Sequence, residues 1–154
     1  MIMILMGVSG AGKTTVGQLL ASQLGWELAD ADDYHSATNV EKMRTGIPLT
    51  DADRAPWLAT LRSLIAGWLT AGKNAVLACS ALKRTYREAL QVSPEVKIVY
   101  LKGTPSLLHQ RLHSRLGHFM TEQMLASQLA ALEEPDNAEI AAKIRARLGQ
   151  TEKA

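Results

Sequence analysis

Besides a short strand at Trp26-Glu27-Leu28-Ala29, three stretches of the chain are apolar too densely for a strand with one wet face. Ile2-Met3-Ile4-Leu5-Met6 is uninterrupted, and Ala75-Val76-Leu77-Ala78-Cys79 and Val96-Lys97-Ile98-Val99-Tyr100-Leu101 are nearly so. Such runs predict strands covered on both faces, as in a parallel sheet. Between them the period lengthens to that of a helix. Val16, Leu19, Leu20 and Leu24 mark a helix from about Lys13 to Leu24 that Gly25 can close. A long helix from about Asp53 to Thr70 carries a stripe running from Trp57 through Leu61 and Ile65 to Trp68, and its tryptophans are read as core. Shorter helices are expected from Asn39, behind a Thr38-x-x-Glu41 capping box, to Gly46, after a Ser80 cap, and from Thr104-Pro105. Strands alternating with helices predict an α/β fold with right-handed crossovers, its ligands gathered at the carboxyl ends of the strands.

The 154 residues suit one domain with a real core, and 47% hydrophobic with 21% charged residues is an ordinary globular composition. A net charge of +2 is too small to argue for nucleic acid or an anionic membrane. No basic stripe interleaved with aromatics appears either. The single cysteine, Cys79, cannot form an internal disulfide and is read as a buried packing thiol. The apolar N-terminus is too short to span a bilayer and lacks the basic start of a signal peptide, so a cytoplasmic location is expected.

What changes the picture is the segment after the first strand, Gly7-Val8-Ser9-Gly10-Ala11-Gly12-Lys13-Thr14, which is the P-loop pattern G-x-x-x-x-G-K-S/T complete. Its glycines let consecutive backbone N–H groups wrap phosphates while the next helix aims its positive end at them. Residues Gly7 to Thr15 are therefore expected to hold a nucleotide, with Lys13 on the β- and γ-phosphates and Thr14 on Mg²⁺. No strand ends in the usual metal-side aspartate of such proteins. The acids after the second strand must then serve, with Asp32 as base or orienter for an acceptor hydroxyl and Asp30 on Mg²⁺ through water. Arg111 and Arg115, i and i+4 on one helical face, suit a lid at about residues 105–134 that closes over the transferring phosphate, and His118 of the same basic set is expected to bind the acceptor. A scattered set that includes His35, Arg54, Lys83 and Arg87 could bind an anionic, polyhydroxylated acceptor. These residues alone describe a small-molecule kinase with an anionic acceptor. A kinase of another hydroxy acid such as shikimate, or a nucleotide-binding module without turnover, stands as the alternative.

With those residues in place the chain resembles the gluconokinases, small P-loop kinases, over roughly residues 1–137. The likeness rests on Gly7 to Thr14, Asp30-Ala31-Asp32-x-x-His35, Asn39 to Met43, Gly46-Ile47-Pro48-Leu49-Thr50-Asp51-x-Asp53-Arg54-x-Pro56-Trp57, Cys79 to Lys83, Tyr86-Arg87 and Gly117-His118-Phe119, in that order. It implies ATP- and Mg²⁺-dependent phosphorylation of D-gluconate to 6-phosphogluconate, an adenylate-kinase-like P-loop NTPase fold in three layers, and commonly a homodimer. It also implies substrate roles for Asp32, His35, Arg54, Lys83 and Arg87 and lid roles for Arg111 and Arg115.

Three departures stand out. Ala31 replaces a usual glycine and Ser36 a common proline. After Glu134 the family fold has a fifth parallel strand and a loop on the adenine. Here Pro135 to Ala138 leads into Glu139 to Leu148, whose Ile140, Ile144 and Leu148 fall at helical spacing. The expectation is an amphipathic helix there and a sheet of only four strands, with weakened recognition of the nucleotide base.

Overall fold

The computed structural model of the chain describes residues 1–113, 122–136 and 142–145. Its strands are β1 (Ile2–Met6), β2 (Glu27–Asp30), β3 (Ala75–Ala78), β4 (Val96–Lys102) and β5 (Ala142–Arg145). Its helices are α1 (Lys13–Leu24), α2 (Ala37–Arg44), α3 (Asp51–Thr70), α4 (Arg84–Leu90), α5 (Pro105–His113) and α6 (Glu122–Ala131). A single 3-10 turn, Ala31–Tyr34, follows β2.

The strands form one parallel sheet in the order β2-β3-β1-β4-β5. Alternate side chains feed two cores, as the period of two along a strand requires. Ile2, Ile4 and Met6 of β1, Leu77 of β3 and Ile98 of β4 meet Leu61, Ile65 and Trp68 of α3 on one face. Leu5, Val76, Val99 and Leu101 meet Leu108 of α5 and Leu125 of α6 on the other, where α1 also packs. The result is helix, sheet, helix. Each fully buried leucine or isoleucine in these layers, such as Leu61 and Ile65, contributes about 1.5–3 kcal/mol.

The fifth strand overturns the expected count of four. Val99 to Lys102 of β4 pair with Ala142 to Arg145, inside the segment read as an amphipathic helix. Ala-Lys-Ile-Arg has no strand preference of its own, but β4 offers it a row of unpaired backbone groups, and pairing there outweighs propensity. The rest of that proposed helix lies outside the described residues.

Smaller differences sit at element ends. α2 begins two residues before the expected Asn39, because Ser36 rather than Thr38 is its cap and accepts from the Asn39 N–H at 3.1 Å. The departure from proline at this position thus gains a capping hydroxyl. α3 starts at Asp51 with Thr50 and Asp53 forming a reciprocal capping box. α4 starts at Arg84, capped by no side chain, so Ser80 is not its cap.

The order of the strands locates the site. α1 carries the chain from β1 past β3 to β2, whereas α4 carries it from β3 past β1 to β4. The crossovers leave in opposite directions, and a crevice opens between the carboxyl ends of β1 and β3. The P-loop and the loop Cys79 to Lys83 flank it, joined by the Gly7 N–H donating to the Ser80 carbonyl at 3.2 Å.

Candidate functional site

Strand β1 ends against β4 so tightly that a Cβ on Gly7 would lie 2.8 Å from the Leu101 carbonyl oxygen, and Gly12 turns into α1 with φ +97°. Only glycine meets both demands cheaply. The Lys13 ammonium lies back over the loop, donating to the carbonyls of Gly7 at 2.9 Å and Val8 at 3.1 Å. From α5, Arg111 donates through Nη1 to the Gly10 carbonyl at 3.0 Å, which sets its guanidinium against the P-loop. Arg115 and His118 lie outside the described residues.

β2 delivers the acids. Asp30 does two things at once: Oδ1 caps the 3-10 turn by accepting from the Asp32 N–H at 3.0 Å, and Oδ2 accepts from the Thr14 hydroxyl at 3.2 Å. A P-loop hydroxyl and a carboxylate held this close are a hard-oxygen pair of the kind Mg²⁺ takes, and the pair fits that ion. The turn places Asp32 at the floor of a cavity of about 280 Å³, which Lys13 and Ser9 also line. Water in the cleft reaches the Asp32 carboxylate, yet the protein mass around it and the neighbouring Asp30 push its pKa up, with Lys13 opposing. The Trp57 indole N–H holds the turn from behind, donating to the Ala31 carbonyl at 2.7 Å.

The opposite wall is α3, whose Asp51, Arg54 and Trp57 recur at three-residue spacing on one face. His35 stacks on Trp57 with ring centroids 4.4 Å apart and an 11° tilt. Burial, aided by the charge of Arg54, lowers the His35 pKa to about 4, so the ring is neutral. Its Nδ1 lies 3.5 Å from the Asn39 amide nitrogen, a spacing at which the neutral ring can accept with its proton on Nε2. Arg54 donates to the Leu49 carbonyl at 2.9 Å and to the Tyr86 hydroxyl at 3.2 Å, and lies over the Tyr86 ring. Lys83 pairs with Asp51 at 3.0 Å, and the Tyr86 hydroxyl donates to the same carboxylate oxygen. Those two bonds, Tyr86 first, hold the Asp51 pKa below the usual carboxylate value.

Asp32, His35, Arg54 and Lys83, proposed from sequence as acceptor ligands, thus line one cavity with the P-loop lysine. Arg87 does not. It is 1% exposed, and its Nη1 donates to the carbonyls of Ala81 at 2.9 Å and Leu82 at 3.0 Å. The placement corrects its expected contact with substrate. On α4 the i+4 neighbour of Lys83 points into the protein, because it braces a loop where Ala81 adopts φ +46°. Sequence reasoning gave no role to Asp51, Tyr86 or Gln128, which also line the cavity. The three-residue spacing of Asp51, Arg54 and Trp57 was a usable signal; Gln128 is brought in by folding across more than a hundred residues.

Among the described residues no helix is long and apolar enough to cross a membrane. A family model described as an AAA domain matches residues 2–135. The chain is 50% identical to a gluconokinase of Gluconobacter oxydans, over 89% of this chain and 78% of that one. It is 45% identical to a probable gluconokinase of Mus musculus, over 87% and 83%. A solved gluconokinase structure from Sinorhizobium meliloti superimposes with TM-score 0.82 at 39% identity, over 96% of this chain and 82% of that one. A relationship of this closeness and coverage means that the chain belongs to the gluconokinase family of P-loop kinases.

Proposed function

We propose that this kinase transfers the γ-phosphoryl group of ATP to the terminal hydroxyl of D-gluconate, forming 6-phospho-D-gluconate. The observation that carries the reading is a single cavity in which the Asp32 carboxylate, the P-loop lysine Lys13 and the acceptor-side cations Arg54 and Lys83 share one space. Phosphoryl transfer asks little covalent chemistry of the protein. It needs in-line placement of the attacking oxygen and compensation of charge on the transferring group.

Each of this chain's residues has a part in that division. Asp32 accepts the hydrogen bond of the attacking hydroxyl and takes its proton as the bond to phosphorus forms; a raised pKa makes it the better base. His35, neutral with its proton on Nε2, is a donor to a hydroxyl of the acceptor chain. Arg54 and Lys83 answer the acceptor's carboxylate. Backbone N–H groups between Gly10 and Thr15 cradle the phosphates, and Lys13 leaves the Gly7 and Val8 carbonyls for the β- and γ-oxygens. Arg111 already lies against the P-loop and, with Arg115, offsets the charge of the transferring group and excludes water, while His118 meets the acceptor. Thr14 and Asp30 would hold Mg²⁺, which supplies charge neutralisation between the phosphates.

The test is gluconate-dependent ADP release in a coupled assay with Mg²⁺ and ATP. Turnover is expected with D-gluconate and not with shikimate. Asp32→Asn is expected to lower kcat by about 10²–10⁴-fold with the KM for ATP little changed. Absence of gluconate-dependent ADP release overturns the substrate; normal turnover of Asp32→Asn overturns only the role of Asp32.

A further inference from the structure

The side chain that joins the acceptor cavity to the P-loop belongs to neither the motif nor the acceptor set. The Ser9 N–H donates to Oε1 of Gln128 at 2.8 Å, across 119 positions of sequence. Because the backbone contributes a donor, the amide must present its oxygen, and its orientation is fixed by chemistry. Both residues line the cavity that holds Asp32. We infer that Gln128 is a positioning residue for phosphoryl transfer, clamping the P-loop at Ser9 so that the wall that meets the acceptor also sets the place of the phosphates. The inference deepens the kinase reading above and rests on it.

The mounting of Gln128 supports the role. On α6, Met124, Ser127, Gln128 and Ala131 face the cavity at helical spacing. The opposite side is anchored, with Leu125 fully buried and Leu129 packed in the core beneath α5. Beyond the helix, the Glu133 N–H donates to the Leu82 carbonyl at 2.9 Å, in the loop that forms another wall of the cavity. Gln128 therefore projects from a held helix, not a loose one. The next P-loop residue, Gly10, is held by Arg111 of α5, so the two helices of the lid grip consecutive residues, one at an N–H and one at a carbonyl.

The chemistry of an amide also fits the place. A carboxylate would accept from Ser9 equally well, but it would stand beside the phosphates and add a further negative charge to a cavity that already holds Asp32 and Asp51. A hydrocarbon would leave the Ser9 N–H without this acceptor. Glutamine holds the loop and adds no charge.

The experiment uses the whole enzyme with Gln128→Leu and Gln128→Glu. It measures steady-state kinetics with D-gluconate and ATP, ATP affinity by calorimetry, and the Ser9 amide proton by NMR. Gln128→Leu should shift the Ser9 amide proton upfield and lower kcat about 10–100-fold, while ATP affinity changes less than about threefold. Gln128→Glu should keep the Ser9 shift near that of the wild type and lose rate through its charge, so activity relative to wild type rises as pH falls and the carboxyl protonates. Wild-type kcat and KM in Gln128→Leu, with the Ser9 proton shifted, overturn the inference, as does a loss of rate wholly explained by lost ATP affinity. If the wild type ignores gluconate, that substrate is overturned instead. Gln128 is then judged by the basal hydrolysis of ATP, which Gln128→Leu must still lower.

Discussion

The imidazole of His35 is stacked on Trp57 and faces Arg54, an environment that penalises its protonated form twice, by burial and by like charge. Its pKa of about 4 lies below the ordinary value of 6.5, so the unfolded chain takes up a proton at this residue before the folded protein does. Folding stability contributed here is present above pH 6.5 and is lost as pH falls from 6.5 towards 4. Thermal denaturation of the unliganded protein should accordingly show a smaller fall in Tm between pH 7.5 and pH 5 for His35→Gln than for the wild type. Identical falls in the two proteins would show that the ring is protonated freely. The same depression keeps the His35 ring neutral at neutral pH, whereas the pKa of Asp32 moves the other way. Of these two shifts the sequence disclosed only the residues. His35 and Asp32 are three apart in a strand-to-turn segment, and nothing local says that an indole from α3 will cover one and that a cleft floor will surround the other.

At the scale of elements, the start of α3 is the part on which one wall of the cavity depends. Asp51 is its first residue, and Asp51, Arg54 and Trp57 follow at one-turn spacing, so the angle at which the helix begins sets all three side chains at once. The Thr50–Asp53 box fixes that angle, and Lys42 of α2 pairs with Asp53 at 2.9 Å. The Thr50 backbone and Lys42 together hold the Asp53 pKa down to about 2, so the box stays charged at any working pH. Thr50→Ala is expected to cost about 0.5–2 kcal/mol in chemical denaturation, the usual range for a lost cap. It should also raise the gluconate KM while leaving the ATP KM unchanged, since the P-loop does not lean on this turn. Much of this element was readable in advance: the stripe from Trp57 to Trp68 gave its length and buried face, and the buried strands β1, β3 and β4 were equally plain. Two elements were not. β5 is four residues of no strong preference whose state is decided by a distant edge, and nothing in the segment read as a lid at about residues 105–134 marks Gln128 until the fold places it over Ser9.

Across the whole molecule, the site is assembled from segments that meet only because the sheet order turns at β1 and β3, and α6 must be tied back to that sheet for Gln128 to be where it is. The tie lies just after α6. Glu134 accepts from the Tyr100 hydroxyl of β4 at 3.0 Å and pairs with Lys102 at 2.9 Å. The two bonds are not equal. Lys102 and Glu134 are 39% and 46% exposed in their side chains, so their ion pair is worth little in water. Tyr100 is only 2% exposed, and a phenol donating to a carboxylate from such a place is worth about 1.5–3 kcal/mol. Burial first, and Glu134 next, raise the Tyr100 pKa, so the donor stays protonated throughout the working range. Glu134→Ala should therefore lower Tm by several degrees, at about 2–4 °C per kcal/mol for a chain of this size, whereas Lys102→Ala should change it by little. Because the loss falls at the foot of α6, hydrogen exchange should speed up in α6 before it does in α1. The Tyr100→Phe variant completes the cycle: removing the hydroxyl should abolish most of the sensitivity to Glu134→Ala. A Glu134→Ala effect as large in Tyr100→Phe as in the wild type would mean that α6 is tied elsewhere, and that the strand order alone suffices to bring it over the P-loop.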